Sequence, residues 1–173
     1  LLPEQMRVRR AEASDLTIYE MIRNEELYPL ETYLDAADVA LAREPENLDA
    51  FVSAMSEEDE GLRWWAIVGL HLLEDSAATA SDTLEAALED EAHEIRMMAA
   101  WTLVKLGQPE KGLACLESLL FEGTNNETFL HNVLDWMGEP ALPLVKRHIE
   151  EGGSLEGKYG ISILGRVAEL NGF

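Results

Sequence analysis

A chain of 173 residues with 34 acidic against 13 basic side chains, a net charge of -21, is repelled by nucleic-acid phosphates and by anionic membrane surfaces, so neither is expected as a partner. Its length suits one domain with a sizeable core, and no apolar run approaches the roughly 20 residues that span a bilayer. The single cysteine, Cys115, rules out an internal disulfide and a cysteine-based zinc site, and leaves cytosol and periplasm both open.

The chain starts at Leu1 with no basic and apolar leader, which is the expectation for a mature product or an excised fragment. From Pro3 to about Asn24, Met6, Val8, Ala11, Ala13, Leu16, Ile18, Met21 and Ile22 recur at helical spacing, and Ser14-Asp15 divides the stretch with a new cap. Arg7, Arg9 and Arg10 form a basic cluster there, expected as a solvated or acid-paired helix face. After Tyr28-Pro29, a second helix runs through Leu30, Tyr33, Leu34, Ala37 and Val39-Ala40-Leu41. It stops at Glu44-Pro45, because the residue before proline is pushed out of the α region.

From Leu48 to Leu73 and again from Ser81 to Gly107 the chain repeats itself at an offset of 33 residues. Asp49/Asp82, Ala54/Ala87, Glu58/Glu91, Arg63/Arg96, Ala66/Ala99, Leu70/Leu103 and Leu73/Leu106 are identical. Each copy predicts a short helix, Asp49 to Met55 or Asp82 to Leu88, an acidic turn and a longer helix, Gly61 to Glu74 or His93 to Leu106. Leu62, Ala66, Gly69, Leu70, Leu73 and Ile95, Ala99, Thr102, Leu103, Leu106 fall on a single stripe expected to be buried. Gly107 caps the second copy and Pro109 starts the next helix, which runs to Gly123 with a partner from Asn126 to Met137. A fourth pair is expected from Pro140 to Glu151 and from Gly157 to Leu170. With no alternating strand pattern, the fold expected is all-α: an α-α superhelix of about four helix pairs over residues 47–173, preceded by N-terminal helices in 1–46, together one domain.

A unit this short cannot bury its own apolar face and must stack on neighbours. The pattern Leu88-x-Asp90-x-x-x-x-Ile95-Arg96-x-x-Ala99, echoed by Met55-x-Glu57-x-x-x-x-Leu62-Arg63-x-x-Ala66, resembles the short bacterial HEAT-like repeat. That resemblance implies that Arg63, Arg96, Glu57 and Asp90 bridge the turn of one unit to its neighbour. The ankyrin and tetratricopeptide patterns are absent. Glu12 to Asn24 and Tyr28 to Asp38, followed by such repeats, is similar to the helical tail carried after the catalytic core of some bacterial sulfatases. It implies a periplasmic or extracellular parent enzyme that uses calcium and a formylglycine from Cys/Ser-x-Pro-x-Arg. No such motif occurs here, and Cys115 lies in Ala114-Cys115-Leu116-Glu117, so no catalytic residue carries over.

Candidate chemistry is weak. His93-Glu94 invites comparison with HEAT-like deoxyhypusine hydroxylases, which bind iron through His-Glu pairs just after the repeat arginine, but Trp64-Trp65 and Met97-Met98 occupy that place here. His71, His131 and His148 are isolated, no EF-hand spacing or phosphate-binding glycine motif is present, and Cys115 reads as a packed small residue. The tryptophans Trp64, Trp65, Trp101 and Trp136 all fall on second helices, and Trp64, Trp101 and Trp136 are the candidate interaction surface, with core packing as the competing role. The expectation is therefore a noncatalytic accessory domain that binds protein, its own catalytic core or another subunit, and needs no cofactor or metal. A free-standing module whose acidic face recruits a basic partner is the second reading, and a HEAT-like lyase or iron hydroxylase the third.

Overall fold

The computed structural model describes residues 15–21, 23–25, 28–124 and 126–151, so Arg7, Arg9, Arg10 and the expected helix from Gly157 to Leu170 lie outside the described residues. Among the described residues every regular element is helical. The chain divides into two compact units, Leu1–Ala87 and Leu88–Phe173.

Among the described residues the first unit begins with a short helix α1, Ile18–Met21. Its start is set by Thr17 and Glu20; Ser14, the expected cap, lies outside the described residues. The Thr17 amide and hydroxyl both donate to Glu20 Oε2, at 2.9 and 2.7 Å, and the Glu20 amide donates back to Thr17 Oγ1 at 3.3 Å, a reciprocal capping box. These bonds hold the Glu20 carboxyl below its ordinary value. Helix α2, Leu30–Ala42, buries Tyr33, Ala37 and Ala40, the i, i+4, i+7 face of an amphipathic helix. It ends where expected: Arg43 turns left-handed at φ 56 and Glu44, ahead of Pro45, is extended at φ -82, ψ 120.

Helix α3, Leu48–Ala54, buries Phe51. Helix α4, Glu60–Leu72, carries both neighbours, since α2 and α3 each pack along it. Its N-cap is Asp59, whose Oδ1 accepts from the amides of Gly61 at 2.7 Å and Leu62 at 3.3 Å. The same carboxylate accepts the Tyr33 hydroxyl at 2.7 Å to Oδ2, tying α2 to the turn. A 3-10 stretch, Glu74–Ala80, leads to α5, Ser81–Ala86, which buries Leu84.

In the second unit α6, His93–Lys105, packs against both α7, Pro109–Glu122, and α8, Glu127–Met137. The sequence predicted one buried stripe on α6. Instead Met97, Met98 and Ala100 are buried beside Ile95, Ala99, Thr102 and Leu103, because a helix with neighbours on several sides has little face left for solvent. Gly107 at φ 77 ends α6 in a Schellman turn: its amide donates to Val104 O at 3.1 Å and that of Gln108 to Leu103 O at 2.9 Å. Pro109 then sits at the first position of α7, where its missing N–H costs nothing. Asn126 caps α8, its Oδ1 accepting from the Phe129 amide at 3.1 Å. Helix α9, Leu142–Glu150, buries Leu144 and Val145.

Candidate interaction surface

An exposed aromatic cluster lies in the second unit. Trp136 on α8 is 50% exposed and stacks on Trp101 of α6, with ring centroids 5.4 Å apart and planes at 27°. Phe129, two turns earlier on α8, meets Trp136 edge-on at 6.4 Å. Stacked and edge contacts of this kind favour one ring orientation, with Trp136 half exposed to solvent. Of the predicted surface residues, Trp101 and Trp136 are thus brought together. Trp64, on α4 of the first unit, is half-buried.

Trp65, which the sequence ranked behind Trp64, lines a shallow groove of about 260 Å³ in the first unit. Its walls are α2 and α3 and its floor is α4, with Val39, Phe51, Leu62 and Trp65 as the large apolar side chains and Asp35 and Glu57 at the rim. The space exists because Ala36, Ala50, Ala54 and Ala66 stand where larger residues would fill it. Nothing in linear spacing marks those alanines as other than small core residues.

The acid and arginine shared by the two repeats make bonds within their own turns. Arg63 Nη1 donates to the carbonyls of Glu57 and Glu58, both at 2.9 Å, and Arg96 Nε donates to Leu88 O at 2.9 Å. Both arginines close the turn ahead of their own helix, a guanidinium five to eight residues downstream folding back over the turn, and Arg96 also stands beside the Cys115 thiol on α7 of the next helix pair. Glu57 contributes its backbone carbonyl to this contact, and the carboxylate that caps the helix is Asp59. Asp90 Oδ1 accepts from the Ala92 amide at 2.8 Å, again within its own turn.

A contact one repeat long is made at the N-terminus of α6. His93 Nδ1 lies 2.8 Å from Thr124 Oγ1, and Asn126 Nδ2 donates to Glu94 Oε1 at 2.9 Å. Glu94 is 2% exposed, not solvated. Burial first, then the Arg96 charge, depresses the His93 pKa, with Glu94 opposing them. Among the described residues no group of three His, Cys, Asp or Glu side chains is arranged to hold a metal ion. Cys115 is buried on α7, its Sγ 3.8 Å from Leu88 O, and burial pushes its thiol pKa up, the reverse of what activates a nucleophile.

Removing Arg96 strips a donor from a part-buried carbonyl, so Arg96→Ala is expected to cost about 1–3 kcal/mol. Arg63→Ala acts on an exposed turn and should cost about 0.5–1 kcal/mol. Urea unfolding of the two variants measures the difference; equal losses would show that the two turns are equivalent.

These paired helices define a helical repeat. Residues 48–128 match the family model for HEAT repeats, which supports a HEAT-like repeat over that part of the chain; repeats of this kind commonly make protein contacts. Among curated proteins, none matches the chain. Among the described residues, no helix is long and apolar enough to cross a membrane.

Proposed function

We propose that the chain is a noncatalytic helical-repeat module acting through protein contact, carried after the catalytic core of a sulfatase-like hydrolase, where it packs on that core or joins subunits. The observation that carries the contact role is Trp136, half exposed and stacked on Trp101. Large aromatic anchors pre-ordered in this way lose little entropy on binding and dominate interface energetics. Support for the sulfatase-like parent is the resemblance of residues 12–38 to the tails of such enzymes. A free-standing module that recruits a basic partner is the second reading, favoured by the acidic rim, Asp35 and Glu57, of the apolar groove.

The coding sequence upstream of Leu1 separates the two. An in-frame Cys/Ser-x-Pro-x-Arg in the same polypeptide is the expected finding, and in that polypeptide Trp136→Ala should loosen the module from its core, seen as faster proteolytic cleavage between them. A start codon immediately before Leu1 would remove the accessory-domain reading.

A further inference from the structure

The groove on the first unit has the size, chemistry and charge of a particular kind of docking site. At about 260 Å³ it is smaller than the roughly 300–1,000 Å³ that small-molecule sites occupy. It suits a few apolar side chains delivered from one face of a helix, laid between the two helical walls. Val39 on one wall is 42% exposed, and Leu34 and Leu41 on the same helix are 49% and 58% exposed. Leu34 and Leu41 lie on the other flank of α2, about 140–160° around the helix from Val39, so the exposed apolar wall of the groove on α2 is Val39.

Charge selects the occupant. Both charged residues lining the groove, Asp35 and Glu57, are acidic and exposed. From Leu30 to Leu72 there are ten Asp and Glu against Arg43 and Arg63, and Arg63 is folded onto the carbonyls of Glu57 and Glu58. A second copy of this chain, itself at -21, is repelled, as is an anionic membrane. We infer that the groove docks a basic amphipathic helix of a partner protein, its apolar face on Val39, Leu62 and Trp65 and its Lys or Arg side chains against Asp35 and Glu57. This rests on the reading of the chain as a protein-contact module and names the chemistry of one partner.

The test uses the intact chain and a labelled synthetic peptide of about five helical turns made of Leu, Lys and Ala, with Leu at i, i+3, i+4 and i+7. Fluorescence anisotropy is read between roughly 50 and 300 mM salt. Two further peptides serve as comparisons, one with Glu in place of Lys and one of the same composition shuffled to lose its apolar face. The Lys peptide is expected to bind more weakly as salt rises, and the Glu and shuffled peptides to bind at least about ten-fold more weakly. Val39→Asp should weaken binding about ten-fold. Asp35→Lys with Glu57→Lys should weaken it several-fold and flatten the salt dependence, with helical circular dichroism unchanged in both variants. Equal binding of the shuffled peptide, or Val39→Asp protein that binds like the parent, overturns the assignment. Should Trp136→Ala loosen the module from its parent polypeptide while the groove variants leave the peptide untouched, the contact module stands and the groove is not its docking site.

Discussion

Gly112→Val is expected to destabilise the second unit by about 3 kcal/mol, and Gly112→Ala by about 1–2 kcal/mol, although either residue is a better helix former than glycine by roughly half to one kcal/mol. A Cβ at position 112 would stand 2.5 Å from the carbonyl oxygen of Ala100 and 3.1 Å from Val104 Cγ2. The nearer obstacle is backbone, in a helix whose Ala99, Ala100 and Leu103 are fully buried, so no side chain can rotate away. Helices α6 and α7 must part by close to an ångström, and the contacts along their seam weaken together. Gly107 is the control, because at φ 77 a Cβ there meets nothing within 4 Å. Gly107→Ala should cost only the left-handed strain, about 1 kcal/mol. Urea unfolding of the three variants tests the ordering; a Gly112→Ala protein as stable as the parent would mean the seam yields freely.

Helix ends were readable in the sequence wherever one residue type is forced by backbone geometry. Glu44-Pro45 stops α2, and Gly107 followed by Pro109 separates α6 from α7, each within a residue of the expected place. The cap of α4 was not readable. Glu57, Glu58, Asp59 and Glu60 stand in a row, and only the direction of the Gly61 and Leu62 amides selects Asp59. Periodicity identified α6 as helical yet understated its burial, since spacing shows which face is apolar and not how many neighbours surround it. The aromatic surface was half legible. Tryptophans on second helices suggested it, but the stack of Trp101 on Trp136 depends on how α6 meets α8, 35 residues apart in the chain. The groove was invisible for a simpler reason: it is an absence of side-chain volume, shared among alanines on three helices.

The largest loss from a single polar side chain should come from Asn126→Ala, about 3–4 kcal/mol, because that residue holds two elements at once. Its Oδ1 caps α8 through the Phe129 amide, worth about 1 kcal/mol. Its Nδ2 donates at 2.9 Å to Glu94 Oε1, a carboxylate 2% exposed whose other oxygen has no hydrogen-bond partner among the described residues. A hydrogen bond to a charged buried group is worth roughly 1.5–3 kcal/mol, and the first turn of α6, where Glu94 sits, favours a negative charge without replacing that donor. Asn126→Asp separates the two roles. The cap survives, but two carboxylates now face each other in a buried site and cannot both stay ionised. The folded variant then takes up a proton that the unfolded chain binds only at lower pH, so its stability deficit is greatest at pH 7 and shrinks on acidification. Adding Glu94→Gln exchanges donor and acceptor across the same gap: the new glutamine amide on α6 donates to the new aspartate carboxylate, which still caps α8. That double variant is expected to recover most of the loss at pH 7, measured by urea unfolding at several pH values. If Asn126→Asp is as stable as the parent at pH 7, or the exchange restores nothing, the contact between His93-Glu94 and Thr124–Asn126 is not what holds these two turns together.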